Sequence, residues 1–535
     1  VGKLRVMAAI AATLLCGASS APASPFGPLT EPWLRVDTPD FTLYGNGTPA
    51  ALEALASELL GFREVVLLML PGVQEAPGDQ LTIFAYRSLA SLDTYTLSEG
   101  SRGVLGLAIE RPSRAWLEMA AHSQKERKWV GFQEFTHHLV ARNSMRLPTW
   151  LNEGLAEYYA TLRIDKAGNV VLGAPSMDRL RTLTAQFWPP LSTLLEAEGT
   201  HSTKKREVPF LYAVGWLFVH YLTHERRDLI PGLAQYIDAV RLGVAHVEAF
   251  EAAFGVHPDV FGEELLTYAR GQRYRVVQFT LKEPLEQRQH RARPVPMTEI
   301  GAELAIAKAQ SRGPSELVHK LADRVLKADP TNPRAQAAKA IRLLRANENQ
   351  AAADLFEEAV DGAPDDALVQ LWAARMADRA AWIEPDNPDV EWLPLAQERY
   401  YRAVTAAEWD VEAATALTWG RLRDPERLPE AIALLQKAMA QRPFHPRAAR
   451  TLALAYIAID RLDEAWRVHD LAVQPHASLE VIKKSREALA KAEHRRLHAW
   501  EKDGKAEQAA ARCLELLART DLADHHELLS DHCAD

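Results

Sequence analysis

Gln133-Glu134-Phe135-Thr136-His137-His138, then fourteen residues, then Glu153-Gly154-Leu155-Ala156-Glu157-Tyr158: this stretch decides the N-terminal half of the chain. Residues four apart share one face of a helix, so a helix through the first segment points Gln133 and His137 the same way. Glu134 stands about 100° round from Gln133. Between the segments, Pro148 breaks the first helix's continuation and Thr149 is a good N-cap. A second helix therefore starts near Trp150, with Glu153 in its first turn and Glu157 one turn on along the same face.

That spacing has a known chemical use. In His-Glu-x-x-His helices two histidines four apart bind zinc, and the glutamate beside the first acts as general base. Here Glu134 and His137 stand at the base and second-histidine positions, and Gln133 replaces the first histidine. Asn152-Glu153-Gly154-Leu155-Ala156 resembles the second motif of the gluzincin metallopeptidases, the superfamily of aminopeptidase N and thermolysin. The resemblance makes Glu153 the third zinc ligand. Tyr212-Ala213-Val214-Gly215, preceded by Val208-Pro209, is similar to the Tyr-x-x-Gly element of aminopeptidase N-like enzymes. It implies that Tyr212 donates a hydrogen bond to the oxyanion of a tetrahedral intermediate. The interval from His137 to Glu153 is shorter than in aminopeptidase N. Residues 30–281 are more similar to the compact bacterial peptidase MA-like proteins, which often carry tetratricopeptide repeats behind the catalytic domain. The resemblance thus implies an α+β gluzincin-like metallopeptidase domain, zinc as cofactor, Glu134 as base, and Asn152 and Glu157 orienting the ligands.

The glutamine bears directly on activity. Catalytic zinc takes three protein ligands and an open fourth position. Gln133 offers only a neutral, hard amide oxygen, a poor substitute for imidazole. Three outcomes stay open: weak binding through Gln133, His137 and Glu153; recruitment of His138 or Glu157; or a scaffold without metal. His138 lies about 100° round the helix from His137, so its use requires a different helix orientation. Two functions follow: zinc-dependent peptide-bond hydrolysis, or the alternative of a catalytically inactive peptidase-like scaffold that binds peptides or partner proteins. A di-iron carboxylate reading rests on Glu134-x-x-His137, repeated at Glu198–His201 and Glu316–His319. The strands and the Asn-Glu-Gly motif argue against the four-helix bundle it needs.

Around this centre, Phe41–Tyr44, Leu81–Phe84 and Ala115–Met119 read as strands, and Ala50–Leu70 as a helix. Residues 166–174 read as a hairpin or loop, and segment 114–119 as either a peptide-pairing edge strand or an internal one. Trp150, Trp216 and Phe218 read as core, His220 as a packing histidine and His224 as a surface one. Residues 282–298, rich in charge and proline, read as a linker.

From 299 to 535 the chain is Ala-rich and helical. Pro330 and Pro364 lie 34 residues apart, the tetratricopeptide period. Ala352, Phe356 and Ala359 recur at the same offsets as Ala431, Leu435 and Ala438, and Ala453, Tyr456, Ala465 and Ala472 fit the next repeat. The expectation is an all-α tetratricopeptide-like solenoid that binds peptide or protein.

The first 23 residues read as a secretory signal peptide: Lys3 and Arg5, an apolar run from Val6 to Ala18, then Ala21-Pro22-Ala23. An exported, periplasmic protein is expected. The whole chain carries 62 basic and 71 acidic side chains, a formal charge of −9, which offers no footprint for nucleic acid or anionic lipid. No later apolar run reaches the roughly 20 residues of a membrane span. Cys513 and Cys533 are candidates for a disulfide. The late cluster Asp524-His525-His526-Glu527 with His532 reads as a frayed terminus.

Overall fold

The computed structural model describes residues 31–70, 80–95, 106–112, 114–120, 124–143, 146–185, 187–197, 204–271, 273–311, 315–383, 392–442, 445–519, 522 and 525–530. The leader, Cys16, the Glu198–His201 pair, Asp524, His532 and Cys533 lie outside the described residues. The chain forms two compact units. One runs to Arg402, and the other starts at Ala403 and includes Arg241–Gly243.

The first unit begins with a mixed sheet. β1 (Trp33–Asp37) and β2 (Phe41–Gly45) pair antiparallel, and α1 (Pro49–Met69) crosses to β3 (Gln80–Tyr86), parallel to β2. Thr48 caps α1 by accepting from the amide of Ala51, with Pro49 in the first turn. After α2 (Leu89–Tyr95) come β4 (Gly106–Glu110) and β5 (Arg114–Ala120). The order is β4-β5-β3-β2-β1-β9, where β9 is Arg293–Val295. Strand side chains alternate between faces. Val36, Leu43, Ile83, Leu117 and Met119 therefore join one core with α1 and the helices after β5, while Trp33, Tyr44, Phe84, Tyr86 and Trp116 join another.

Segment 114–119 is internal, between β3 and β4, so the edge is β4. Residues 282–298 hold a 3-10 turn at Leu285–Gln287 and then β9, which pairs with β1 through Trp33↔Val295. This stretch, read as a linker, contributes a sheet edge.

The helical part of the unit starts with α3 (Gln124–Arg142) and α4 (Thr149–Ala160). Thr149 is the first helical residue. Pro148 holds the cap position, its carbonyl accepting from Leu151 and Asn152, so the expected threonine cap is displaced by one residue. The hairpin β6 (Arg163–Ile164) and β7 (Asn169–Leu172) starts three residues before the 166–174 stretch read as a hairpin or loop and overlaps it. There follow α5 (Met177–Leu183), α6 (Leu191–Leu195), α7 (Val208–His224), α8 (Ile230–Arg241), α9 (His246–Phe254), α10 (Pro258–Gly271) and β8 (Val277–Thr280), which pairs with β7.

Trp150, Trp216 and Phe218 are buried, as expected. His220 is also fully buried, held by Tyr268 Oη at 2.8 Å and the Arg275 carbonyl at 2.9 Å. His224 is half-buried, 3.0 Å from Tyr158 Oη and stacked on His220 at 4.2 Å, so it is not the surface residue expected. Its partner comes from a distant helix, which local sequence cannot show.

Burial, with His224 adding, pushes His220 down to about 3, and burial with Arg227 and Arg275 pushes His224 down to about 4. Both folded values lie below the roughly 6.5 of unfolded histidine. The unfolded state therefore binds more protons as pH falls from 6.5 towards these values, and stability falls with it. Melting temperature should drop more steeply across that window in wild type than in His220→Gln. Equal slopes in stepped-pH thermal melts would contradict this.

Past β9 the chain is helical. α11 (Met297–Gln310) is buried almost all round, facing the aromatic side of the sheet and α12 (Ser315–Ala328) and α13 (Pro333–Arg345). Its Lys308 and Glu118 on β5 are both buried; burial lowers the lysine's pKa and Glu118 opposes that. Then come α14 (Asn349–Gly362), α15 (Ala367–Ile383) and α16 (Trp392–Ala406). The second unit contains α17 (Val411–Gly420), α18 (Leu428–Gln441), α19 (Pro446–Ala458), α20 (Leu462–Val468), α21 (Leu479–Lys502) and α22 (Ala506–Leu517).

The repeat residues are buried in both units: Ala352, Phe356 and Ala359, then Ala431, Leu435 and Ala438. Small side chains there let paired helices approach closely. Asn347 and Asp460 take φ of 64° and 58° in the turns of α13–α14 and α19–α20, and Gly504 takes 76° between α21 and α22. Asn, Asp and Gly are the residues that tolerate this region best. Cys513 is buried and disulfide-bonded.

Candidate functional site

The site is built where α3, α4, α5, α7 and the edge strand β4 meet. One face of α3 is fixed in the core: Phe132 stacks on Phe62 at 4.2 Å, and Phe135 lies 5.9 Å from the same ring. The opposite face carries Gln133, Glu134 and His137. Gly106 lets β4 come close, because a Cβ there would lie 3.2 Å from Glu134 Cγ and 2.3 Å from Val130 Cγ1. The backbone of Ala108 then hydrogen-bonds Glu134, and Glu110 at the end of the strand lies 2.6 Å from His138 Nδ1.

Two glycines of the motifs set the crossing of α4 and α7. A Cβ on Gly154 would lie 2.5 Å from the Gly215 carbonyl oxygen, and one on Gly215 would lie 2.6 Å from that of Trp150. Both obstacles are backbone. This contact brings Glu153 and Tyr212 to the same place.

The sequence-predicted residues fall into two hydrogen-bonded groups. His137 Nε2 lies 3.6 Å from Glu153 Oε2, and the Asn152 amide lies 3.1 Å from His137 Nδ1. Burial opposes the charge on His137, but Glu153, Glu134 and Asn152 together more than offset it and the imidazole is pushed up to about 9. Beside it, burial pushes Glu134 up to about 7, with His137 pulling the other way. The second group is a chain: Gln133 Nε2 donates to Glu157 Oε1 at 2.6 Å, and Arg179 Nε donates to Glu157 Oε2 at 2.8 Å. Arg179 Nη2 also donates to Glu157 Oε1. Burial raises the Glu157 pKa, countered by Arg179. Arg179 also lies over the Tyr212 ring, 5.2 Å from its centroid. The Tyr212 hydroxyl is buried with no hydrogen-bond partner among the described residues, and burial raises its pKa.

This donor set can be tested against zinc. His137 and Glu153 converge from two helices. Gln133, in the third position, donates an amide N–H to Glu157; that bond uses its nitrogen and not the neutral oxygen a metal would take, which is a poor substitute for imidazole. Both substitutes are also committed, Glu157 to Arg179 and His138 to Glu110. Among the described residues no group of three His, Cys, Asp or Glu side chains is arranged to hold a metal. Two converging ligands do not fit a three-ligand catalytic zinc. Among the described residues the di-iron pattern does not assemble either: Glu316 pairs with Lys320 on its own helix.

Sequence reasoning missed Arg179, Gly106, Ala108 and Glu110. A buried glutamate one turn after Glu153 demands a cation, and that demand is the signal for Arg179. Which cation answers it depends on where α5 packs, and nothing near Glu157 shows that.

A family model for the tetratricopeptide repeat matches residues 422–470, spanning α18 to α20. No curated protein matches the chain. Among solved structures, the chain is similar to YrrB, described as a TPR protein with an unusual peptide-binding site, at 16% identity over 36% of this chain and 89% of that one, with a TM-score of 0.28. It is similar to MamA at 18% identity over 33% and 91%, with a TM-score of 0.24. The Pseudomonas aeruginosa pilF structure gives 16% identity over 44% and 96%, with a TM-score of 0.29.

Proposed function

We propose that this chain is a protein-interaction scaffold: tetratricopeptide helix pairs that hold a peptide or protein partner, joined to a gluzincin-like domain that works without zinc. The observation that carries it is the repeat segment at 422–470, with its small residues buried at the expected offsets. Stacked helix pairs of this kind present a groove suited to extended peptides. The mutual neutralisation of the polar groups on α3, α4 and α5 supports the same reading. Among the described residues no helix is long and apolar enough to cross a membrane.

A second reading, zinc-dependent peptide hydrolysis, draws on Glu134 standing buried beside His137 while the Tyr212 hydroxyl has no hydrogen-bond partner among the described residues.

The two separate in a direct assay. The full chain, with zinc added, is incubated with a quenched fluorescent peptide library, and its binding to a random peptide array is measured in parallel. The scaffold reading expects selective binding on the array, no cleavage above blank, and no difference between wild type and Glu134→Gln. Zinc-dependent cleavage lost in Glu134→Gln would overturn it, as would the absence of any selective peptide binding.

A further inference from the structure

We infer that Gln133, Glu157 and Arg179 form a clamp that takes over the structural role of a metal between α3, α4 and α5, and that Gln133→His alone converts the pocket into a divalent-cation site. The inference deepens the zinc-free reading above and rests on it.

A metal ligated from α3 and α4 would tie those helices together. Here the tie is Gln133 Nε2 to Glu157 Oε1 at 2.6 Å, and Arg179 Nε extends it to α5 at 2.8 Å. The Glu157 carboxylate is fully buried, so its charge and both its oxygens need partners. Gln133 and Arg179 supply them. The remaining pair, His137 and Glu153, partner each other at 3.6 Å. Glu157, His137 and Glu153 are thus each engaged with protein, and Gln133 is held by its amide nitrogen.

A histidine at 133 removes one donor to Glu157 but leaves Arg179 on both carboxylate oxygens. It also stands one turn before His137 on the same face, where it brings the ligand count with Glu153 to the three that zinc needs. Losing an outer partner typically weakens metal binding about 10–100-fold. Supplying a missing direct ligand should exceed that.

The test is zinc and cobalt binding by full-length wild type, Gln133→His and Gln133→Ala, with thermal melts in EDTA and in excess zinc. Wild type should melt at the same temperature in both and give no cobalt absorption band in the visible range. Gln133→His should bind zinc more than about 100-fold tighter than wild type, show the cobalt band, and melt higher only with zinc. Gln133→Ala should melt below wild type, unrescued by zinc.

Wild-type zinc binding equal to that of Gln133→His would overturn the inference, since Gln133 would then be a ligand. So would a folded Gln133→His without metal affinity, or a Gln133→Ala with wild-type melting. Wild-type zinc binding alongside intact peptide-array binding and no cleavage would sink the clamp and the zinc-free part of the scaffold reading but leave the peptide-binding scaffold standing. Loss of array binding alone would do the reverse. Should Gln133→His fail to fold, Glu157→Gln decides: a melting temperature equal to wild type's in EDTA would overturn the clamp.

Discussion

Replacing Arg179 by leucine should destabilise the first unit by about 3–5 kcal/mol, the cost of breaking a buried ion pair from one side. Glu157 is fully buried and takes hydrogen bonds from Arg179 on both oxygens. Without the guanidinium, only the Gln133 amide remains, and one neutral donor does not compensate a buried carboxylate. The deficit should depend on pH with a definite sign. Burial already raises the Glu157 pKa, and losing Arg179 raises it further. A carboxylate whose folded pKa exceeds its unfolded value costs stability as pH rises through that interval. Urea midpoints should therefore separate from wild type most at neutral and alkaline pH and converge towards pH 4, near the ordinary glutamate value of about 4.3. Pairing the change with Glu157→Leu should restore most of the loss, because replacing both partners with apolar groups leaves no orphan charge. An Arg179→Leu midpoint equal to wild type at pH 7 would contradict the clamp's structural weight.

The second large effect is expected at the helix crossing. Gly154→Ala and Gly215→Ala should each cost about 3 kcal/mol or more, at or beyond the upper end for overpacking. The added methyl in each case meets backbone within 2.6 Å, so no side-chain rotation relieves it and the helices must separate. Separation also carries Glu153 away from His137 and shifts Tyr212 beneath Arg179. The two substitutions should be strongly non-additive, since the first already opens the gap that the second needs. Gly47→Ala is the control, with nothing within 4 Å of its added Cβ, and should be close to neutral. Thermal melts followed by circular dichroism decide it; wild-type stability in either crossing variant would mean the contact is not tight.

Much of this architecture was legible because its signals are local. Apolar residues at helical spacing over Ala50–Leu70 announce α1, and runs of aromatic, β-branched or long apolar residues announce β2, β3 and β5. The interval from Pro330 to Pro364 and the small residues around Phe356 announce the repeats. What was hidden depends on long-range packing. β9 is three residues long and contains Pro294, so it carries no periodicity and reads as part of a charged connector. α11 carries Glu303, Lys308 and Gln310 in buried positions, which disguises a helix sandwiched on both sides.

The site shows the same division. Helical spacing picks out Gln133, Glu134 and His137, the resemblance to gluzincins supplies Asn152, Glu153, Glu157 and Tyr212, and the side chains of both sets lie together. The direction in which Gln133 spends its amide was not legible, because Arg179 arrives from a separate helix 22 residues beyond Glu157. That contact gives the buried Glu157 carboxylate a cation, the feature on which the proposed zinc-free reading draws.

The most direct test is the metal content of the full chain, purified without chelators from zinc-supplemented cells and measured by plasma mass spectrometry. The account predicts far less than stoichiometric zinc in wild type, and stoichiometric zinc in Gln133→His prepared alongside. Stoichiometric zinc in the wild-type chain would contradict it, because the Gln133 oxygen, or a substitute, would then be completing the ligand set.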